Sequence, residues 1–431
     1  MKKIILWSVV GILIAGIAVA VFLWLTKPQV IQLDKNTKLT LLGVEYGKHH
    51  KFPKVKTKVG HTSGGPTSFD TTNDTLVVWI LQEHKGNQGY GWQTLVYDHA
   101  ETACVQSWAR QWNQVGMNKQ IAAVQLDAFP RRDSKFILRF QSWGNGGQHV
   151  SKDGFVISNP VRGKTFSKWM PDSLPNTQSD GDFTVTLNKL IANAPSPYNR
   201  GGNLLKNDPA NKSVQVDFDV QQNGHVATNW NPVQVETSDA TGNDIRGWIN
   251  NFRQNGDTPG YFYQPGLWPN ESAWKVRLEF SRTSGFNDDE LWSVTNIPVR
   301  AGSQQDAQIF LGDPNSNKAK TPFAETTLNG IHVKLYSATQ YTDQNEFPGG
   351  NSKVVSITIK TDPNPETNSM RMSPLSVTDD QGRALNNRGA SWGGGNYQYQ
   401  FAEPRNIQSV NVTIALHKSR FVEFTVKPTK Q

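Results

Sequence analysis

Gly389-Ala390-Ser391-Trp392-Gly393 spells the G-x-S-x-G pattern of a serine hydrolase's nucleophile elbow, and Glu403 and His417 follow it in the required order. The chemistry would be acyl transfer, with the serine attacking, the imidazole taking its proton and the carboxylate orienting the ring. An elbow works only as a sharp strand-to-helix turn above a mostly parallel sheet. Here Ser391 is followed by Gly393-Gly394-Gly395 and the alternating aromatics Tyr397, Tyr399 and Phe401, which is a strand pattern. Too little chain remains for the rest of such a fold. The match reads as accidental, and a serine hydrolase using Ser391 is the distant alternative. H-E-x-x-H, Walker A, dinucleotide-binding and C-x-x-C patterns are missing as well. No catalytic residue, metal or cofactor is expected. Asp217 and Asp219 read as neighbours on an exposed strand face rather than a glycosidase pair. Asp288-Asp289-Glu290 reads as a solvated turn.

Aromatic residues beside glycines are the better binding candidates. "QSWGNGG" and "SWGGGNYQYQF" place Trp143, Trp392, Tyr397 and Tyr399 where they could stack on sugar faces. Trp108, Trp248 and Trp392 recur in register along the chain, as packing residues would, so Trp143 is the one most expected to face solvent. A second candidate is "GKHHKFPKVKTKVGH", whose Lys48, Lys51, Lys54, Lys56 and Lys58 could meet anionic headgroups or an anionic wall polymer. Its plain reading is a lysine-rich edge strand that resists aggregation.

The elements that must position these residues are strands. Only 36% of the 431 residues are apolar, against 36 Gly, 23 Pro and 14 Trp, which suits short strands and many turns. The net charge of +8 permits contact with anionic surfaces, and nothing in the pattern argues for nucleic acid. Cys104 is alone, so no internal disulfide forms. One helix is expected, in "AETACVQSWARQW", where Cys104, Trp108 and Trp112 fall four apart.

The N-terminus points to a membrane. Lys2 and Lys3 precede an uncharged run from Ile4 to Thr26, about 34 Å long as a helix and enough for a bilayer core. The expected arrangement is a single uncleaved anchor through residues 4–26, with the rest outside the cytoplasm of a bacterial cell.

Three stretches then follow one pattern. Asp98, Asp239 and Asp379 recur at near-equal spacing, each downstream of an alternating strand. Pro130, Pro269 and Pro404 each lead into another, "KFILRFQ", "WKVRLEF" and "VNVTIAL". Each stretch closes on a strand running into proline, "FVISNPV", "SVTNIPV" and "EFTVKP". The aspartates read as turn residues that accept backbone N–H bonds, with Gly242 and Gly382 supplying positive φ. The expected division is an anchor over 1–29 and β-sandwich repeats over 30–176, 177–305 and 306–431.

With its anchor and V-x-D-x-x-G turns, as in "LSVTDDQGRAL", the chain resembles bacterial single-pass membrane-anchored proteins carrying tandem immunoglobulin-like β-sandwich domains. The resemblance implies an all-β fold of three such domains behind a transmembrane helix. It also implies a non-catalytic role in binding or scaffolding, with an envelope protein or wall polysaccharide as partner. The Cys…Trp…Cys core of true immunoglobulin domains is missing.

Overall fold

The computed structural model describes residues 28–55, 67–85, 91–100, 102–107, 109–144, 147–195, 212–252, 260–308, 321–336, 338–343 and 352–430. These residues form an all-β structure of several sheets. The anchor segment 4–26 lies outside them, and among them no helix is long and apolar enough to cross a membrane.

In the first stretch the strands are β1 (Val30–Gln32), β2 (Thr37–Lys51), β3 (Ser68–His84), β4 (Trp92–Tyr97) and β5 (Ala103–Ser107). They continue with β6 (Ala109–Gly116), β7 (Lys119–Leu126), β8 (Lys135–Gly144), β9 (Gly147–Val150) and β10 (Phe155–Ser158). One sheet runs β1-β2-β3-β7-β6 and the other β10-β8-β4-β5, with β9 on β8. Alternation makes them a sandwich. Leu76, Val78 and Ile80 of β3 and Phe136, Leu138 and Phe140 of β8 share one buried core.

The second stretch holds β11 (Asn176–Asp180), β12 (Phe183–Pro195), β13 (Lys212–Gln222), β14 (His225–Val226) and β15 (Trp230–Asp239). After these come β16 (Asp244–Phe252), β17 (Gly260–Gln264), β18 (Trp274–Arg282) and β19 (Leu291–Ala301). In the third, a one-turn helix α1 (Gln304–Gln308) precedes β20 (Ala324–Leu328), β21 (Ile331–Leu335), β22 (Ala338–Asp343), β23 (Ser352–Asp362) and β24 (Met370–Asp379). The chain finishes with β25 (Asn386–Gly393), β26 (Asn396–Ala402), β27 (Ser409–Lys418), β28 (Arg420–Val426) and β29 (Thr429–Lys430).

Antiparallel pairing recurs in the three stretches. β3 lies between β2 and β7, as β13 does between β12 and β17, and β23 between β21 and β26. Likewise β4 pairs β8, β15 pairs β18, and β24 pairs β27. The recurring aspartate closes the same turn each time. The N–H of Asp98, Asp239 and Asp379 donates to the carbonyl of Thr102, Asn243 and Arg383, at 3.2, 3.1 and 2.9 Å. Each carboxylate also accepts backbone N–H bonds, from Thr102, from Thr241 and Asn243, and from Gln381 and Arg383.

The closing strands depart from the repeat. In the first stretch β10 closes on its own β8. In the other two they are exchanged: β28 pairs with β18, and β19 pairs with β27. Pairing therefore crosses the expected 305/306 boundary. The reason is local. A single residue, Ser419, separates β27 from β28, whereas the tightest common hairpins need two. β28 cannot fold back on β27 and runs on into the neighbouring sheet.

The expected helix is two strands instead, Ala103–Ser107 and Ala109–Gly116. Residues four apart share a face in a helix, but an even spacing also puts them on one face of a strand, so the pattern served both. In β6 exposure alternates over the first residues, and Trp112 meets Trp92 edge-to-face at 5.6 Å.

Phe424 is fully buried in the core that β28 completes on β18. Phe424→Ala is expected to cost about 3–5 kcal/mol in chemical denaturation, which is the cost of opening a core cavity. An unchanged midpoint would mean that β28 does not dock there.

Candidate functional site

Where the exchanged strands hold the second and third stretches together, a groove opens between them. It has a volume of about 510 Å³ and lies between β15 and β16 on one side and β24, β25 and β26 on the other. Such a volume falls within the range of small-ligand sites.

One wall comes from β16. Ile245, Gly247 and Ile249 point into the core, so Arg246, Trp248 and Asn250 point out. Trp248 is 46% exposed. The facing wall is β25, paired only with β26 among the described residues, and its Trp392 is 41% exposed. The two indole rings meet edge-to-face, 5.2 Å apart at 85°, so they present aromatic surfaces at nearly right angles.

Trp392 does not sit on a flexible loop. Gly393 pairs with Asn396, leaving Gly394 and Gly395 as a two-residue turn with φ of +57° and +79°. That is the type I′ geometry, which suits glycine at both positions. A Cβ at Gly395 would also lie 2.8 Å from the Thr361 carbonyl. The turn is tight, and it places Trp392 directly across the ladder from Tyr397.

Tyr397 and Tyr399 line the groove but are nearly buried. Tyr399 donates to the Met372 carbonyl at 3.2 Å. Burial holds both phenols well above their ordinary pKa, so they stay neutral.

Arg371 of β24 anchors the groove's charged end. Its Nε and Nη2 donate to the two oxygens of Glu279 on β18, each at 2.7 Å, in a bidentate pair that is almost buried. Nη1 donates to Glu366 at 2.6 Å, and Nη2 also reaches Gln234. The guanidinium lies 5.5 Å from the Trp248 ring centre, within cation–π range. Ser419 adds a 2.7 Å hydrogen bond to Glu279.

The remaining sequence candidates lie elsewhere. Trp143 is in β8, and its side chain falls outside the described residues. Lys48, Lys51 and Lys54 are exposed, while Lys56 and Lys58 lie outside the described residues. Lys51 and Lys54 edge a separate cavity of about 560 Å³ floored by Phe52, Val115 and Ile121. Trp248, expected to pack inward, is exposed, and so is Trp392, which the sequence offers both as a packing residue and as a sugar-stacking candidate. Opposite parity to Ile245 and Ile249 was the signal that could have placed Trp248 outward.

Ser391, Glu403 and His417 are not brought together as a triad. Ser391 is exposed on β25, opposite Gln398. Glu403 is buried and paired with Arg405, at 2.6 Å to its Nε. His417 is buried against β18, where Nε2 bonds at 3.0 Å to both the Ser281 hydroxyl and the Arg282 backbone N–H. A backbone N–H can only donate, so Nε2 must carry the lone pair. Asp217 and Asp219 are exposed on one strand face, as expected.

Burial lowers the His417 pKa from its ordinary value to about 4, with nearby Arg282 adding to the effect. A folded-state pKa below the unfolded one means the unfolded chain binds the proton more readily. The stability contributed by neutral His417 is therefore complete above about pH 6.5. It is lost as pH falls toward 4, by on the order of 3 kcal/mol. His417→Asn keeps an acceptor but cannot titrate. This variant is expected to flatten the melting temperature between pH 6.5 and 4, relative to the unsubstituted chain.

No family model matches the chain, and no curated protein or solved structure does.

Proposed function

We propose that this is a non-catalytic, membrane-anchored envelope protein that recognises a glycan in the groove between its second and third β-sandwich units. In this reading residues 4–26 hold a bacterial cell membrane. Three tandem immunoglobulin-like units, close to 30–176, 177–305 and 306–431, stand outside the cytoplasm. Wall polysaccharide is then the nearest ligand of the right chemistry.

The observation that carries the reading is the pair of exposed indoles, Trp248 and Trp392, at right angles over the groove. A sugar ring has one face of C–H bonds that stacks on an aromatic surface and an equator of hydroxyls that need partners. Asn387 and Ser373 line the same groove and can serve those hydroxyls. The walls come from paired strands and a fixed turn, so little ordering is needed on binding.

The test is co-sedimentation of the 28–431 chain with insoluble wall polysaccharide at low and high salt. Stacking on indoles does not depend on salt, so binding is expected to survive high salt. Trp248→Ala and Trp392→Ala are each expected to weaken it about tenfold. Binding lost with salt alone would move the site to Lys48, Lys51 and Lys54. No binding at either salt would leave a protein partner as the ligand.

A further inference from the structure

The groove's charges point to a narrower ligand class, an inference that rests on the glycan reading above. Two charged side chains line it, Glu366 and Arg371, since its two tyrosines stay neutral. Arg371 is already spoken for. Four of its five N–H donors are taken by Glu279, Glu366 and Gln234, and its side chain is only 11% exposed, so it offers little to a ligand's carboxylate or phosphate. With Glu279, which holds Arg371 from behind the groove, the triad has two carboxylates against one guanidinium, an excess of one negative charge.

Glu366 carries the part of that excess that a ligand can reach. It sits in a short 3-10 turn, Pro365–Asn368, and its side chain is 33% exposed. Oε1 accepts from Arg371, whereas Oε2 accepts no hydrogen bond among the described residues. Trp248 and Trp392 line the same groove, and indole faces attract cations as well as C–H bonds. A carboxylate with an uncommitted oxygen in one groove with two perpendicular indoles is a combination suited to an ammonium group.

We infer that the groove selects a glycan bearing free amines, a polymer of unacetylated 2-amino sugars, over neutral, N-acetylated or acidic ones. A uronate or phosphate polymer would bring like charge to Glu366 and meet in return only Arg371, which two carboxylates already neutralise. An N-acetylated sugar would still stack on the indoles but would gain nothing from Glu366.

The inference is tested on the 28–431 chain by calorimetry with β-linked tetrasaccharides of glucosamine, N-acetylglucosamine and galacturonic acid, below the pKa of the amine. The glucosamine oligomer is expected to bind about fivefold more tightly than its acetylated counterpart. Glu366→Gln, which keeps an acceptor for Arg371, should bring the two within about twofold by weakening the glucosamine oligomer more than its acetylated counterpart. Asn387→Asp, which adds a carboxylate to the facing wall and leaves Glu366–Arg371 intact, should widen the preference. Equal affinity for the amine and acetamide oligomers, or tighter binding of the galacturonate, would overturn this inference and leave glycan recognition standing. If none of the three binds, or if Trp248→Ala and Trp392→Ala change nothing, the glycan reading itself falls.

Discussion

One residue of connection decides much of this molecule. Ser419 alone joins β27 to β28, and a single residue cannot reverse an antiparallel strand. β28 is committed to the open edge of β18, and β19 takes the edge of β27 that is left. Each of the two C-terminal sheet systems is thus completed by the other. Val422, Phe424 and Val426 are buried in a core that also contains residues from the first stretch, such as Phe136. The second and third stretches cannot swing apart without breaking the β18–β28, β19–β27, β12–β29 and β19–β22 ladders.

Polar groups then set the register of that junction. The bidentate Arg371–Glu279 pair, with Ser419 on the same carboxylate, ties β24 to β18. His417 accepts from the Arg282 backbone across the same seam. A buried pair of this kind adds little net stability over a well-packed apolar contact, but losing one partner strands the other charge at a cost of about 3–5 kcal/mol. It therefore penalises any other alignment of the two sheets. Pairs such as Lys275–Glu423 and Arg246–Glu236 lie largely in solvent and contribute far less. The cores supply the stability, and the polar seam chooses the arrangement.

The groove is a consequence of this arrangement. Its two tryptophans belong to different stretches, and neither could form the site alone. The exchanged strands hold the walls, the type I′ turn at Gly394-Gly395 fixes Trp392, and Arg371 sits beside Trp248. A ligand meets surfaces already in place, so binding energy is not spent on ordering loops.

Much of this was legible in the sequence. Alternating runs gave the strands, because a half-buried strand repeats every two residues. The recurrent aspartates marked real turns, because a carboxylate beside a glycine satisfies the backbone of a tight reversal locally. The hairpin that carries Trp392, Tyr397 and Tyr399 is legible too, since an aromatic hairpin is a local pattern. Trp248 was assigned to packing, although its parity against Ile245 and Ile249 placed it outward. The helix over residues 100–112 was misread because a four-residue spacing suits both periods. What no local pattern carries is which sheet a closing strand joins. "SVTNIPV" and "EFTVKP" look alike, and each fits the edge of either β18 or β27. Their exchange, the Arg371–Glu279 seam and the meeting of Trp248 with Trp392 depend on contacts between residues far apart in the chain. By itself the sequence determined the strands and turns, whose causes are local; only the tertiary structure decided the pairing of distant edges, and with it the groove.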